Sequence, residues 1–149
     1  ADAAPGPDLS FYSDAWDGYT AARRRLLGAV RDARVANPVV LGGDVHSFWV
    51  NDLKHDDAPA DAPALATEFV TTSVTSQPPP EEMVQNVVRE SPHVRFGTGA
   101  YRGYLRLDLR PSRLTADQRA LDDVKRVDSG CSTLGSWTVA AGRPGAERA

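Results

Sequence analysis

The spacing of apolar residues predicts a helix followed by a buried strand near the start of the chain. Over residues 19–35, apolar side chains recur at intervals of three and four, with arginines falling mostly between them. This period is typical of an amphipathic helix. Asn37-Pro38 ends it, and the β-branched, apolar run Val39-Val40-Leu41 predicts a buried strand. A helix followed by a buried strand predicts a layered α/β fold.

The remaining pattern predicts further strands and one more helix. Residues 104–110 alternate leucine with charged residues, which is typical of a half-buried strand, and residues 114–127 fit either a strand or a helix. Prolines in "QPPP" end one strand and precede a helix with two glutamates in its first turn. The other predicted elements are strands at 47–53, 65–76 and 135–142 and a helix at 81–91.

Composition and length predict one domain with loose ends. The chain has 149 residues, enough for a single core. Residues 1–15 are rich in Ala, Pro and Asp and predict a flexible segment, and residues 143–149 predict a disordered tail. The chain does not begin with Met, which suggests a processed chain or a fragment.

Net charge, cysteine content and hydropathy argue against a nucleic-acid partner, an internal disulfide and a membrane span, respectively. The net charge of −3 argues against a nucleic-acid partner, because phosphate backbones attract basic surfaces. The single cysteine, Cys131, cannot form an internal disulfide. No apolar run approaches the about 20 residues that a membrane span needs, so we expect no membrane span.

Asp44 and His46 follow the predicted strand Val39–Leu41 and two glycines. In extended backbone, residues two apart point to the same side, so the pair could present a carboxylate oxygen and an imidazole nitrogen to metal ions. Gly43 would let the chain turn sharply. The spacing alone leaves open a structural, hydrogen-bonded histidine, since Asp-x-His is a short pattern.

The sequence around this pair resembles the C-terminal part of the PhoD-like alkaline phosphatases, which belong to the calcineurin-like metallophosphoesterases. The resemblance runs from about residue 16 to residue 142 and rests on several stretches in the family's order. These are "WDGY" with Arg23, Arg25, Leu26 and Leu27; "GDVHSFWVNDL" at 43–53; "ATEFVTTS" at 66–73; and "RGY" at 102–104.

The resemblance implies that residues 16–142 are the C-terminal portion of a four-layer α/β/β/α metallophosphoesterase sandwich. It implies a dinuclear or multinuclear metal centre of Fe(III) with Ca²⁺, in which His46 binds the ferric ion and Asp44 the second metal. An aspartate at that second position fits calcium better than zinc. It also implies hydrolysis of phosphate monoesters or diesters by a metal-activated hydroxide.

The family's earlier metal motifs are absent from this chain. Two ligands cannot make a metal centre, so the resemblance implies that the N-terminal half of the phosphatase, on missing residues or a separate chain, supplies the others. We therefore expect the isolated chain to have little activity and to expose an apolar surface, because the strand Val39–Leu41 would lack its neighbours. The resemblance also implies a secreted or periplasmic enzyme.

Four further residues are candidates around the metal pair. Asn51 and Asp52 could support the ligands or reach another calcium, or could form a turn through local hydrogen bonds. Glu68 could do the same, or could face outward or be buried with a partner. Arg102 could bind a phosphate, or could pair beside the Gly103 turn.

A non-catalytic interpretation remains open. The chain could be an α+β interaction domain derived from such an enzyme, in which Asp44 and His46 are structural. That hypothesis predicts independent folding without metal.

Overall fold

A computed structural model describes residues 15–59 and 61–149, without the side chain of Asp17. The predicted flexible segment 1–15 lies almost entirely outside the described residues. After a 3-10 turn at Trp16–Gly18, the elements are, in chain order, α1 (Thr20–Asp32), β1 (Val39–Gly42), β2 (Phe48–Leu53), β3 (Ala66–Val70), α2 (Glu81–Glu90), β4 (Val94–Thr98), β5 (Arg102–Arg110), β6 (Arg113–Leu121), β7 (Cys131–Ala140) and β8 (Glu147–Arg148).

The strands form two four-stranded sheets. The first sheet has the order β1-β3-β2-β4, in which β1 and β3 run parallel and the other pairs antiparallel. The second sheet, β5-β6-β7-β8, is antiparallel throughout. The ambiguous segment 114–127 is thus mainly the strand β6. It forms a strand because it pairs along its length with β5 on one side and with β7 on the other.

The core lies between the two sheets. Val50 and Phe69 of the first sheet are fully buried against Ala116 and Val139 of the second. Phe96 packs against Trp137 with ring centroids 6.1 Å apart. Side chains two apart on a strand share a face, so these contacts also identify the inner faces of the sheets.

Both helices cover the outer face of the first sheet. Gly97 of β4 leaves room for Trp49 and for Val88 of α2, since a Cβ at residue 97 would lie 2.7 Å from the Trp49 ring. The α/β class is therefore confirmed. The described residues provide three of the four predicted layers: helices, first sheet and second sheet.

The exposure of two strands differs from the sequence pattern alone. The apolar run of β1 predicts a buried strand, and an isolated C-terminal portion was expected to leave it without its neighbours; β1 lies at the edge of its sheet, and Leu41 is 58% exposed. The strand over 104–110 was expected to bury its leucines, yet Leu109 is 78% exposed. Both side chains lack a covering element within the described residues.

The extent of three segments differs from the sequence pattern. The strand predicted at 65–76 ends at Val70, and the last predicted strand begins earlier, at Cys131. The tail, 143–149, is ordered instead of disordered: β8 pairs with β7, and Ala146 is buried in the core. These contacts join residues distant in sequence, and a composition rich in Pro, Gly and Ala does not reveal them.

Candidate metal site

The loop after β1 holds Asp44 and His46 in left-handed backbone conformations, with φ of 74° and 55°. The Val45 N–H donates to the Gly43 carbonyl at 2.9 Å, which closes a γ-turn with Asp44 at its centre. The prediction of an extended Asp-x-His is therefore wrong in detail, and Gly43 has no positive φ. Strained backbone of this kind is concentrated at functional sites.

A main-chain contact orients the His46 ring. Its Nδ1 lies 3.0 Å from the Gln77 carbonyl oxygen. A carbonyl can only accept a hydrogen bond, so Nδ1 carries the proton and Nε2 keeps its lone pair. Histidines that bind metals characteristically donate their other nitrogen in this way.

Buried hydroxyls hold the rest of the loop. The Trp49 indole N–H donates to Ser47 Oγ at 2.7 Å, and the Ser47 hydroxyl donates to the Val45 carbonyl at 3.1 Å. The Thr72 hydroxyl lies 3.1 Å from the His46 carbonyl and 3.0 Å from that of Tyr101. The loop is thus attached to the segments after β3 and before β5.

Sequence reasoning did not identify Ser47, Thr72 or Gln77 as parts of the site. Ser47 and Thr72 lie inside the stretches that carry the family resemblance, and that resemblance was the signal that could have identified them. Gln77 acts through its main-chain carbonyl, and no side-chain pattern reports such a contact.

Arg102 is joined to the same group through Gln77. One of its terminal nitrogens donates to Gln77 Oε1 at 3.1 Å, and its buried Nε has no hydrogen-bond partner among the described residues. Gln77 therefore connects His46 and Arg102, through its carbonyl and its side chain respectively.

The structure does not bring Asn51, Asp52 or Glu68 to the metal pair. Asn51 donates to Glu68 at 2.7 Å across the β2–β3 register, two residue pairs below the end of β3. Both line a cavity of about 460 Å³ between α1 and the sheet. Asp52 lies on the opposite face and pairs with Arg95 at 3.3 Å. Their supporting roles stay predictions.

Ionisable groups around that cavity serve the packing of α1. Asp56, in the connection between β2 and β3, pairs with Arg23 and lies 3.3 Å from Arg24, both on α1. Partial desolvation, and then the charge of Arg23, lowers the pKa of His93 at the cavity wall.

Within residues 15–59 and 61–149, no group of three or more His, Cys, Asp or Glu side chains is placed to hold a metal ion.

Comparisons with known proteins extend this picture. The sequence model described as "PhoD-like phosphatase" matches residues 2–118. Alkaline phosphatase D of Bacillus subtilis (strain 168) is 34% identical over 127 residues, which is 83% of this chain and 22% of that protein. A solved structure of PhoD superposes with a TM-score of 0.80 at 32% identity, covering 91% of this chain and 26% of that chain. The chain thus spans about a quarter of the length of these relatives.

Proposed function

Because the chain belongs to the PhoD-like phosphatase family, we propose that it is part of a metal-dependent phosphatase that hydrolyses phosphate monoesters or diesters. Asp44 and His46 hold metal ions in this proposal. The observation that supports it most is the hydrogen bond between His46 Nδ1 and the Gln77 carbonyl, which leaves Nε2 available as a ligand.

The donor set fits the metals that the family resemblance implies. The Asp44 carboxylate offers hard oxygen suited to Ca²⁺, and the His46 imidazole suits iron. When bound, such a metal pair polarises a phosphoryl oxygen and lowers the pKa of water. The γ-turn at Asp44 and the Gln77 contact preorganise the two ligands before the metals bind.

Arg102 binds the phosphate group in this proposal. Its side chain is anchored to Gln77, which bonds to His46 through its carbonyl, and a guanidinium matches phosphate oxygens bidentately. In the complementation complex described below, Arg102→Ala should raise KM for a phosphate ester more than it lowers kcat. Steady-state kinetics of that complex would test this.

A second component supplies the remaining ligands. The chain covers 22% of the length of alkaline phosphatase D, and the described residues contain no cluster of three ligands. We infer that the rest of the same phosphatase completes the centre, and that the chain alone has little activity. By family resemblance, the enzyme acts outside the cytoplasm. Among the described residues, no helix is long and apolar enough to cross a membrane.

The same absence of a three-ligand cluster favours one alternative, a non-catalytic interaction domain derived from such an enzyme. In that case Asp44 and His46 would only shape the loop.

Complementation tests the proposal. The probe is Bacillus subtilis alkaline phosphatase D from which the stretch matched by this chain has been deleted. This protein, the deleted relative, is co-expressed with the chain. The complex should contain iron and calcium by elemental analysis and hydrolyse p-nitrophenyl phosphate or its bis ester. Asp44→Asn and His46→Gln should each lower turnover by at least about 100-fold, together with metal content.

Asn tolerates the left-handed conformation at residue 44, so the Asp44 variant should fold. Asp57→Asn and His93→Gln, away from the loop, serve as controls. The relative's own stretch, supplied to the deleted relative, shows that the assay works. A complex of this chain that lacks metal and activity would establish the interaction domain instead.

A further inference from the structure

Three consecutive prolines follow Gln77 and restrict the direction of its carbonyl. The ring of each proline fixes its φ at about −65°, so residues 78–80 form a stiff, extended stretch, which we name the proline segment. Pro80 has φ of −54° and ψ of 135°, which is polyproline geometry. The residue before a proline is itself excluded from helical backbone, so Pro78 also restricts Gln77. Local sterics therefore orient the Gln77 carbonyl before any contact with His46 forms.

The far end of the proline segment is anchored by Glu81, the first residue of α2. Its carboxylate accepts a hydrogen bond from the Gly99 N–H at 2.6 Å and another from the buried Thr98 hydroxyl at 3.1 Å. Pro79 packs on the same turn, since a Cβ added at Gly99 would lie 3.0 Å from the Pro79 carbonyl oxygen. The segment is thus fixed to the end of β4, and its other end carries Gln77.

The near end holds the two groups that the proposed function uses. The Gln77 carbonyl accepts from His46 Nδ1 at 3.0 Å, and Gln77 Oε1 accepts from Arg102 at 3.1 Å. One residue therefore contacts the proposed metal ligand through its main chain and the proposed phosphate contact through its side chain. Because these are different atoms, a substitution can remove one contact and keep the other.

We propose that Gln77 is a positioning residue, held by the proline segment so that His46 and Arg102 keep a fixed relation to each other. This inference rests on the proposed function, which assigns the metal to His46 and the phosphate to Arg102. The carbonyl selects the His46 tautomer that leaves Nε2 free for a metal. The side chain holds the guanidinium in place before substrate binds, so less freedom is lost on binding. A stiff segment suits this role, because such groups must be held within about 0.5 Å of the productive geometry.

The main-chain contact is tested in the chain alone, without metal. Heteronuclear NMR of isotopically labelled imidazoles in mildly alkaline solution should find the His46 proton on Nδ1, and His46→Gln assigns the signal. Pro78→Gly frees the segment and the conformation of Gln77, so it should move that proton largely to Nε2. Gln77→Ala keeps the carbonyl and the following proline, so it should leave the tautomer unchanged. Pro111→Gly, in the exposed β5–β6 turn, is the matched control, because it gives the unfolded chain the same extra freedom.

A second pair of variants tests the anchor. Glu81→Gln keeps the size of the side chain but removes one of its acceptor oxygens, and it should shift the His46 proton in the same direction as Pro78→Gly. Glu82→Gln is the control, because Glu82 is exposed in the same first turn of α2 and has the same relation to the helix dipole. This pair decides the question should Pro78→Gly not fold.

The side-chain contact is tested by kinetics of the complementation complex, with the nitrophenyl ester that it hydrolyses. Gln77→Ala should raise KM by about 5-fold or more, while kcat and iron content stay near wild type. The same change made in the Arg102→Ala variant should add little, because both substitutions remove one interaction. Pro78→Gly should instead lower iron content and kcat together by about 10-fold or more, as loss of an orienting partner does. A merely structural role would not separate KM from metal content in this way.

Other results would overturn the positioning role. These are a His46 tautomer that neither Pro78→Gly nor Glu81→Gln changes, or a rise in KM for Gln77→Ala that adds in full to that for Arg102→Ala. Failure of the proposed function is distinguishable, because the tautomer is measured without metal. The expected tautomer shifts, in a chain whose wild-type complementation complex lacks iron and hydrolysis, would keep the orientation of His46 by Gln77 and remove the activity. Full iron content and hydrolysis in the Pro78→Gly complex would do the reverse.

Discussion

At the scale of single residues, the structure places strain and charge at defined positions. Asp44 and His46 have positive φ values, a conformation that costs about 1–3 kcal/mol per residue and persists where the surroundings enforce it.

On the outer face of the second sheet, Asp117 accepts hydrogen bonds from Ser136 at 2.6 Å and from Arg106. These two contacts, that of Ser136 first, hold the pKa of Asp117 below its usual range.

This lowered pKa predicts an acid-sensitive contribution to stability. The ionised form is favoured in the folded state, so the contribution is complete above the unfolded pKa near 3.8 and is lost as pH falls through the folded value. Asp117→Asn should cost about 2 kcal/mol near neutral pH. Urea unfolding across the acid range should show wild type and variant converging. Asp32→Asn, in an exposed ion pair with Arg31, should differ little from wild type; a constant gap for Asp117→Asn down to about pH 2 would contradict this account.

At the scale of elements, one glycine permits the β5–β6 pairing. Gly103 has a φ of 157°, and a Cβ there would lie 1.9 Å from the carbonyl oxygen of Arg119 on β6. The Gly103 N–H also donates to the Ser73 carbonyl, which ties the start of β5 to the segment after β3. The segment that contains Ser73 continues to Gln77. A displacement of the start of β5 would therefore also disturb the contact between Gln77 and His46.

Gly103→Ala should therefore destabilise the chain by about 3 kcal/mol or more, since neither backbone can yield without breaking the strand register. Gly142→Ala is the control: the φ of Gly142 is 75°, but a Cβ added there would have no other described atom within 4 Å, so strain alone should cost about 1 kcal/mol. Thermal and urea unfolding of both variants would measure the difference. Equal losses would show that the contact with Arg119 relaxes.

At the scale of the whole molecule, the tail closes the core on the side away from β1. Ala146 is buried between the sheets, and the Gly145 N–H donates to Thr67 Oγ1 at 2.9 Å. Since Thr67 lies on β3 and is fully buried, the tail joins the two sheets directly. The sandwich is therefore closed at β8 and open at β1 and β5.

Removal of residues 143–149 should destabilise the fold by about 3 kcal/mol, because it uncovers part of the core and removes the partner of a buried hydroxyl. Glu147→Ala breaks only an exposed ion pair with Arg143, and it should change stability by less than about 0.5 kcal/mol. Calorimetry of the two variants would compare them. A truncated chain with wild-type stability would restore the prediction of a disordered tail.

The sequence by itself determined the local elements and the family. Helical spacing in α1, proline before α2 and alternation in β5 are properties of neighbouring residues, and local backbone preferences follow from them. The ordered motifs were sufficient to indicate the PhoD-like phosphatases, and the comparisons confirm that resemblance. The pairing of Asp44 with His46 as ligands was likewise proposed from sequence, and it stays a prediction.

Only the tertiary structure decided what these elements face. It placed Gln77 against His46, separated Asn51 and Glu68 from the loop, ordered the tail and left Leu109 exposed. Each outcome depends on contacts between residues far apart in the chain or on main-chain groups common to all residues. A pattern of side chains records which face of a strand is apolar, but the position of the strand in the sandwich decides whether that face is covered.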